Sequence, residues 1–371
     1  KIIGDVAVIT MTNPPVNGLG LSTRVGITDG LTKANADAAV KSIIITGAGK
    51  AFSGGADIKE FGSPKALQEP NLLNLITALE NCPKPTVAAV HTVVMGGGLE
   101  LALGCHYRVA APGTDVALPE VKLGLIPGAG GTQRLPRLVG AEMSLSMLLD
   151  WRTLPAFAAR QSGLIDALAN QTPEEAAEEI ILQMRRDDEQ LVSTAQRRDG
   201  FADGRSYFEA IKARRAALAN SPLNAPKRIV ECIEAAITLP FEVGLAFEAE
   251  ALSDCAAHPQ SAALCHIAAA EAEAAERLFA TGQNGRRALD PDTTGRIALR
   301  LGRALEEATK HLLTLGVTEE RIDIALVDFG FAKGYFGGDA AGPVGRDTVA
   351  IQRRIVAAML AEGARLVSSG A

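Results

Sequence analysis

Short β-branched runs alternate with helical stretches over the first ~165 residues, and this alternation constrains the fold more than any other feature. Four runs are rich in Val, Ile and Ala, and Gly, Pro or Asn residues bound several of them, as is typical of strands. They cover residues 6–11, 42–46, 86–90 and 107–110. Helical stretches at 72–80 and 99–104 lie between them. This order predicts an α/β domain over residues 1–170.

From about Thr172 onward the apolar residues recur at helical spacing. Alanine is frequent in this half, and it favours helix because it loses no side-chain entropy there. We therefore predict a helical extension and linker over 171–280 and a third, helical region over 281–371. The expected helices begin after Thr172-Pro173 and continue at 205–219, 226–238, 241–256, 262–280 and from 296 onward, with a glycine-rich interruption at 330–345.

Composition excludes several classes of function. The net charge is −6 and there is no basic block, so binding to nucleic acid is not expected. No apolar run reaches membrane-spanning length, and no His/Cys cluster indicates a metal site. The five cysteines are odd in number and lack C-x-x-C spacing, which favours reduced thiols and a cytoplasmic protein. The last residues are not a peroxisomal signal, and Lys1 at the start indicates a processed, tagged or incomplete chain.

Three segments of the first domain have the composition of a reactive site: residues 51–60, 95–100 and 118–132. Glycine pairs such as Gly54-Gly55 let a backbone N–H approach a ligand. Gly96, Gly97 and Gly98 run directly into a helix, whose free N–H groups and dipole suit a developing oxyanion. The third segment holds a carboxylate, Glu120, in apolar company before a glycine-rich turn.

Each segment also has a plainer interpretation when taken alone. Glycine pairs are usually turns, and a single Glu is usually a solvated surface group. Residues 128–133 look like half of a dinucleotide fingerprint. However, Gln133 stands where the last glycine belongs, and Pro127 disturbs the strand-to-helix turn. It is the joint occurrence of the three segments, in this order and in one domain, that favours a functional site.

Together the three segments resemble the signature of the crotonase (enoyl-CoA hydratase/isomerase) superfamily, as do residues 13–17 and 84–90. The resemblance implies a crotonase-like (ClpP/crotonase) ββα-superhelix domain followed by a mostly α-helical C-terminal region. The helical part is similar to the multifunctional enzymes of fatty-acid β-oxidation. Residues 225–227, 239–242 and 259–261 resemble their linker, and 328–334 and 339–342 resemble the C-terminal part of their 3-hydroxyacyl-CoA dehydrogenase.

The resemblance also implies roles for individual residues. The N–H groups of Ala56 and Gly97 would form the oxyanion hole for a thioester carbonyl. Glu100 would activate water, and Glu120 would deliver a proton to the α-carbon. The same resemblance places five more residues along the bound acyl-CoA: Gly98, Asp57, Ile58, Lys59 and Gly128.

The expected function is therefore enoyl-CoA hydratase, with 3-enoyl to 2-enoyl isomerisation as a second activity of the same acid. Hydration needs no cofactor beyond the CoA of the substrate. The dehydrogenase family needs an NAD-binding domain, but only about 15 residues separate Leu278 from Thr293, too few for a βαβ unit of ~30 residues. Two alternatives stay open: an incomplete bifunctional hydratase/NAD-dependent dehydrogenase, and a non-catalytic crotonase-fold assembly module. The sequence leaves the oligomeric state open between a monomer and a small homo-oligomer.

Overall fold

The chain divides into two compact units, Lys1–Ala268 and Ala269–Ala371, which are described separately. A computed structural model describes residues 1–57, 60, 65, 68–186, 190–221, 223–265, 291–329, 351–352, 354–356 and 358–359. In this part of the chain, no helix is both long enough and apolar enough to cross a membrane.

A six-stranded sheet forms the centre of the first unit, in the order β1-β2-β3-β4-β6-β9. All neighbours are parallel except β1 and β2. The strands are β1 (Ile2–Ile3), β2 (Val6–Met11), β3 (Ser42–Gly47), β4 (Thr86–Val90), β6 (Tyr107–Ala110) and β9 (Ala167–Leu168). The four strands predicted from the sequence are confirmed.

Both faces of this sheet are buried, which explains why its strands are nearly continuous apolar runs. Along β3, Ile43 and Ile45 pack into one hydrophobic core while Ile44 packs into a second core on the opposite face. The second core is closed by α6 (Pro173–Arg186), which contributes Ala177 and Ile181. The predicted helix after Thr172-Pro173 is therefore confirmed, and it covers one face of the sheet.

A second sheet has three short strands, β5 (Val93–Met95), β7 (Asp115–Ala117) and β8 (Leu154–Pro155), in that order. β5 and β7 are parallel, and Met95 pairs with Ala117. The sequence did not predict these strands, because two or three residues are too few to establish an alternating pattern. Their effect is to bring together the two chain segments that follow β5 and β7.

Further helices of the first unit enclose the main core. They are α1 (Leu21–Ala36), α2 (Leu72–Glu80), α3 (Gly97–Leu103), α4 (Gly131–Leu149), α7 (Gly204–Ala217), α8 (Asn224–Thr238) and α9 (Phe241–Ala257); a short α5 spans Ala156–Gln161. Helix α4 was not predicted, since it contains Pro136 and is kinked at Gly140 (φ 75°, ψ 179°). The predicted helices that correspond to α2, α3, α7, α8 and α9 are confirmed.

The described residues of the second unit are mostly helical, as predicted. Its helices span Pro291–Thr314 and Glu319–Phe329, and a small core of its own includes Leu312, Ile322 and Ile355. The sequence predicted one helix ending at Gly316 and another beginning at Ile322, and Gly316, with φ +79°, does lie between the two helices. Residues 259–265 are helical, whereas the rest of the predicted helix 262–280 and the glycine-rich stretch 330–345 lie outside the described residues.

Candidate active site

Ala56 and Gly97 are brought together by two chain segments that run side by side. Ser53 forms a parallel bridge with Val94, and the Met95 N–H donates to the Ser53 carbonyl at 3.0 Å. A Cβ placed on Gly97 would lie 3.5 Å from the Ala56 nitrogen. Among backbone pairs of the described residues, neither N–H donates to a carbonyl. The structure thus places the two predicted N–H groups close together, and neither has a backbone carbonyl acceptor among the described residues.

Two glycines permit this close approach. Gly55 has φ +98°, and a Cβ there would come within 2.8 Å of the Met95 carbonyl oxygen. Gly96 has φ +54°, and a Cβ there would lie 3.1 Å from Glu120 Oε1. Both values of φ disfavour side chains, and both positions lack room for one. These two glycines therefore allow the two segments to approach each other closely, and they also form the local turns.

Glu120 reaches the same place from β7. The Gly96 N–H donates to the Ala117 carbonyl at 3.0 Å, and Glu120 follows three residues later at the start of a 3₁₀ turn, Glu120–Leu123. The Glu120 carboxyl consequently lies against Gly96, next to the Gly97 N–H. Its Oε2 atom is buried, and within the described part of the chain it has no hydrogen-bond donor.

Glu100 lies in the first turn of α3 and is 3% exposed. Its Oε1 atom accepts from the Ala129 N–H and from the Gly131 N–H, both at 2.8 Å. Burial raises the pKa of Glu100, while these two N–H groups and the charge of Arg134 act in the opposite direction. The donors favour the ionised form of this carboxyl.

For Glu120, the effects that raise the pKa outweigh those that lower it. Burial raises the pKa of Glu120 well above its usual value, and the negative charges of Glu100 and Glu248 raise it further. A hydrogen bond with the backbone of Glu120 itself acts in the opposite direction, but Oε2 lacks a donor within the described part of the chain. The site therefore combines a carboxyl held by N–H donors with a carboxyl that favours its protonated form, an arrangement that suits transfer of a proton between two groups.

The other predicted contacts are partly described. Gly98 lies against Ser53, where a Cβ would approach the Ser53 carbonyl oxygen to 2.7 Å. The Asp57 side chain lies beside the backbone of Gly18 and Gly20. Gly128 faces Leu252 of α9. The remaining two predicted residues, Ile58 and Lys59, lie outside the described residues.

A third glutamate of the site, Glu248 on α9, was missed by the sequence analysis. It is 1% exposed, and burial followed by the charge of Glu100 raises its pKa to about 8. The residues around Glu248 on the helix gave one sequence signal that its side chain is buried. Leu245, Ala251 and Cys255 are all buried, so Glu248 occupies the apolar stripe of an amphipathic helix, where an ionisable residue is unusual.

A buried ion pair was also missed. Arg134 of α4 contacts Glu80 of α2 through two nitrogens, Nε at 3.2 Å and Nη2 at 2.7 Å. Its Nη1 donates to the Ala129 carbonyl at 3.0 Å. Sequence alone could not pair Arg134 with Glu80, because the two residues lie 54 positions apart. In the structure, Arg134 contacts the loop whose N–H groups donate to Glu100.

Within the described residues, no group of three or more His, Cys, Asp or Glu side chains is placed to hold a metal ion. The chemistry that these residues offer is acid–base chemistry by carboxyls next to a pair of backbone donors.

A family model described as enoyl-CoA hydratase/isomerase matches residues 1–197, just over half of the 371 residues. A peroxisomal bifunctional enzyme of Danio rerio is 38% identical over 267 residues, which cover 70% of this chain and 36% of that protein. A probable enoyl-CoA hydratase of Bacillus subtilis (strain 168) is 44% identical over 165 residues, covering 43% of this chain and 64% of that protein. The chain thus spans about a third of the length of the bifunctional enzymes it matches.

Solved structures support the fold. A carnitinyl-CoA dehydratase from Mycobacterium avium 104 aligns with a TM-score of 0.51 and 25% identity, covering 70% of this chain and 92% of that one. An enoyl-CoA hydratase from Mycobacterium avium subsp. paratuberculosis K-10 aligns with the same TM-score at 24% identity, covering 73% and 94%. The predicted α/β crotonase fold with a helical C-terminal region is confirmed.

Proposed function

This chain belongs to the enoyl-CoA hydratase/isomerase family, and from that premise we propose that it adds water across the 2,3 double bond of 2-enoyl-CoA thioesters. The observation that carries the proposal is the contrast between two carboxyls at one site. Glu100 accepts two backbone N–H groups, whereas Oε2 of Glu120 is buried without a donor in the described part of the chain.

In the proposed reaction the thioester carbonyl accepts the N–H groups of Ala56 and Gly97. Glu100 takes a proton from water while the water oxygen bonds to carbon 3. The electron pair of the double bond moves towards the thioester oxygen. Preorganised donors stabilise this enolate-like charge by about 3–4 kcal/mol each. Glu120 then gives its proton to carbon 2. One proton has moved from water to Glu100 and one from Glu120 to the product, so a proton passed between the carboxyls restores the site.

The test replaces each carboxyl by the amide of the same size. We expect Glu100→Gln and Glu120→Gln to lower the hydration rate of crotonyl-CoA at least about a hundredfold, because neither amide transfers the proton. Binding of the CoA ester, measured by calorimetry, should be largely kept. Glu250→Gln on the exposed side of α9 is the matched control and should leave the rate unchanged. Near-normal turnover by either site variant would contradict the proposal.

The same assay separates the rivals. If the protein were a non-catalytic assembly module, neither the unmodified chain nor any of the three variants would hydrate crotonyl-CoA. A bifunctional hydratase/3-hydroxyacyl-CoA dehydrogenase would also oxidise the hydrated product with NAD. We favour hydration without a cofactor, because the described residues offer acid–base groups and backbone donors.

We also propose a reducing, cytoplasmic location. It is supported by five free cysteines. Four are buried, namely Cys82, Cys105, Cys232 and Cys255, and one is half-buried, Cys265. Several relatives are named as peroxisomal or glyoxysomal proteins. Fractionation of the source cells would decide between these compartments.

A further inference from the structure

One face of helix α9 lies on the glycine-rich loop that holds Glu100. A Cβ on Gly128 would meet Leu252 Cδ2 at 2.2 Å, and a Cβ on Gly130 would lie 3.1 Å from Leu245 Cδ2. Glu248 occupies the same face between these two leucines. Helix α9 is outside residues 1–197, which the family model matches. The loop is therefore covered by a helix that follows the matched part of the chain.

Glu100 and Glu248 take alternate N–H groups of this loop. Glu100 Oε1 accepts from Ala129 and Gly131, both at 2.8 Å. Glu248 Oε1 accepts from Gly130 at 2.6 Å, and its Oε2 accepts from the Thr132 N–H at 2.8 Å and from Thr132 Oγ1 at 2.5 Å. Four successive N–H groups at the start of α4 are thus divided between two buried carboxyls.

Because the two glutamates bind alternate N–H groups of one loop, a shift of the loop at one glutamate also displaces the N–H groups at the other. Neighbouring peptide planes share one chain, so Gly130 cannot shift without displacing the N–H groups of Ala129 and Gly131. A buried N–H that loses its acceptor is destabilised strongly enough for the loop to move. We propose that Glu248 is a positioning residue for the hydratase reaction, because its carboxyl fixes the loop that holds Glu100. This inference rests on the proposed function.

The test is Glu248→Gln, with Glu250→Gln on the same helix as the matched control. The amide keeps the size of the side chain but replaces one acceptor by a donor, so one of the two N–H groups loses its partner. We expect kcat for crotonyl-CoA to fall at least about tenfold while KM stays within about twofold, since misplacement of a reacting group lowers the chemical step. Glu250 is exposed, and its variant should match the unmodified protein.

A folded Glu248→Gln protein with unchanged kcat, or with only KM raised, would overturn the inference. If that variant does not fold, Thr132→Val decides, because it removes the hydroxyl that donates to Glu248, and that accepts from Gln133 Nε2, while it keeps the backbone N–H of residue 132. We expect its kcat to fall about threefold, the size of one lost hydrogen bond, and an unchanged kcat would overturn the inference. Glu100→Gln keeps the two proposals distinct. If the unmodified protein does not hydrate substrate, the proposed function fails; if it does and Glu100→Gln is inactive while Glu248→Gln is normal, only the positioning role fails.

Discussion

Three glutamates, two buried and one half-buried, lie in one region, and at the scale of single residues their surroundings shift the pKa of each. Burial raises the pKa of Glu100, Glu120 and Glu248 alike. Their donors differ, since Glu100 and Glu248 each accept backbone N–H groups while Glu120 Oε2 has none in the described part of the chain. The charge of Arg134 lowers the pKa of Glu100, and Arg134 is itself paired with Glu80.

The raised pKa of Glu248 predicts how stability depends on pH. The pKa is about 8 in the folded protein and 4.5 in the absence of the fold. The folded state therefore binds this proton more tightly, so the stabilisation is complete below about pH 4.5 and is lost as pH rises through about 8. We expect the Tm of the unmodified protein to fall between about pH 6 and about pH 9, and the Tm of Glu248→Gln to fall by less.

Differential scanning fluorimetry at a series of pH values measures both slopes. Glu100 and Glu120 titrate in both proteins, so the difference between the slopes reports the titration of Glu248 together with its electrostatic effect on Glu120. The exposed Glu250→Gln variant should follow the unmodified protein. Parallel slopes for all three proteins would show that Glu248 does not change its proton affinity on folding.

At the scale of elements, the contact between α9 and the glycine-rich loop joins the helical extension to the α/β core. Gly128 and Leu252 meet where the loop passes beneath the helix. Gly244, one turn before Glu248 on α9, lies against Gln133 of α4, and a Cβ there would meet Oε1 at 2.2 Å. Close packing at these points leaves no space for an added methyl group, and overpacking generally destabilises a core.

Gly128→Ala should accordingly reduce the free energy of unfolding by about 1–3 kcal/mol. In a Leu252→Ala background the same change should cost less, because the side chain that it meets has been shortened. Urea unfolding of the two single variants and the double variant gives the coupling energy. Gly204→Ala is the matched control, since a Cβ there meets nothing within 4 Å. Equal costs of Gly128→Ala in both backgrounds would contradict this contact.

At the scale of the whole molecule, two compact units follow one another along a chain that spans about a third of its bifunctional relatives. The first unit carries the candidate site. The second has a small core of its own, which includes Leu312, Ile322 and Ile355. The sequence between Leu278 and Thr293 is too short for a βαβ unit of ~30 residues, the kind of unit that binds NAD in a dehydrogenase.

We therefore expect a polypeptide of these 371 residues to form no NADH from 3-hydroxybutyryl-CoA and NAD. Absorbance of NADH is the measurement, and hydration of crotonyl-CoA by the same preparation is the positive control. The intact mass of the preparation should be 38.7 kDa. Clear NADH formation at that mass would contradict the prediction, whereas the same signal at a mass tens of kDa higher would come from a longer bifunctional protein.

The sequence by itself determined the features that depend on neighbouring residues. Strand β3 was predictable because its side chains are apolar on both faces, and the Gly96–Gly98 turn because three glycines precede a helix. Glu100 and Glu120 were found because each follows a recognisable local anchor. The crotonase fold and the family followed from these segments, and both are confirmed.

Only the tertiary structure decided which distant residues complete the site. Glu248 accepts from residues 118 and 116 positions away along the chain, and Arg134 pairs with Glu80 across 54 positions. Helix periodicity specifies which side of α9 is buried, but it does not specify what that side meets. The partner depends on how α9 packs against the core, a choice made by many weak contacts that no local pattern encodes.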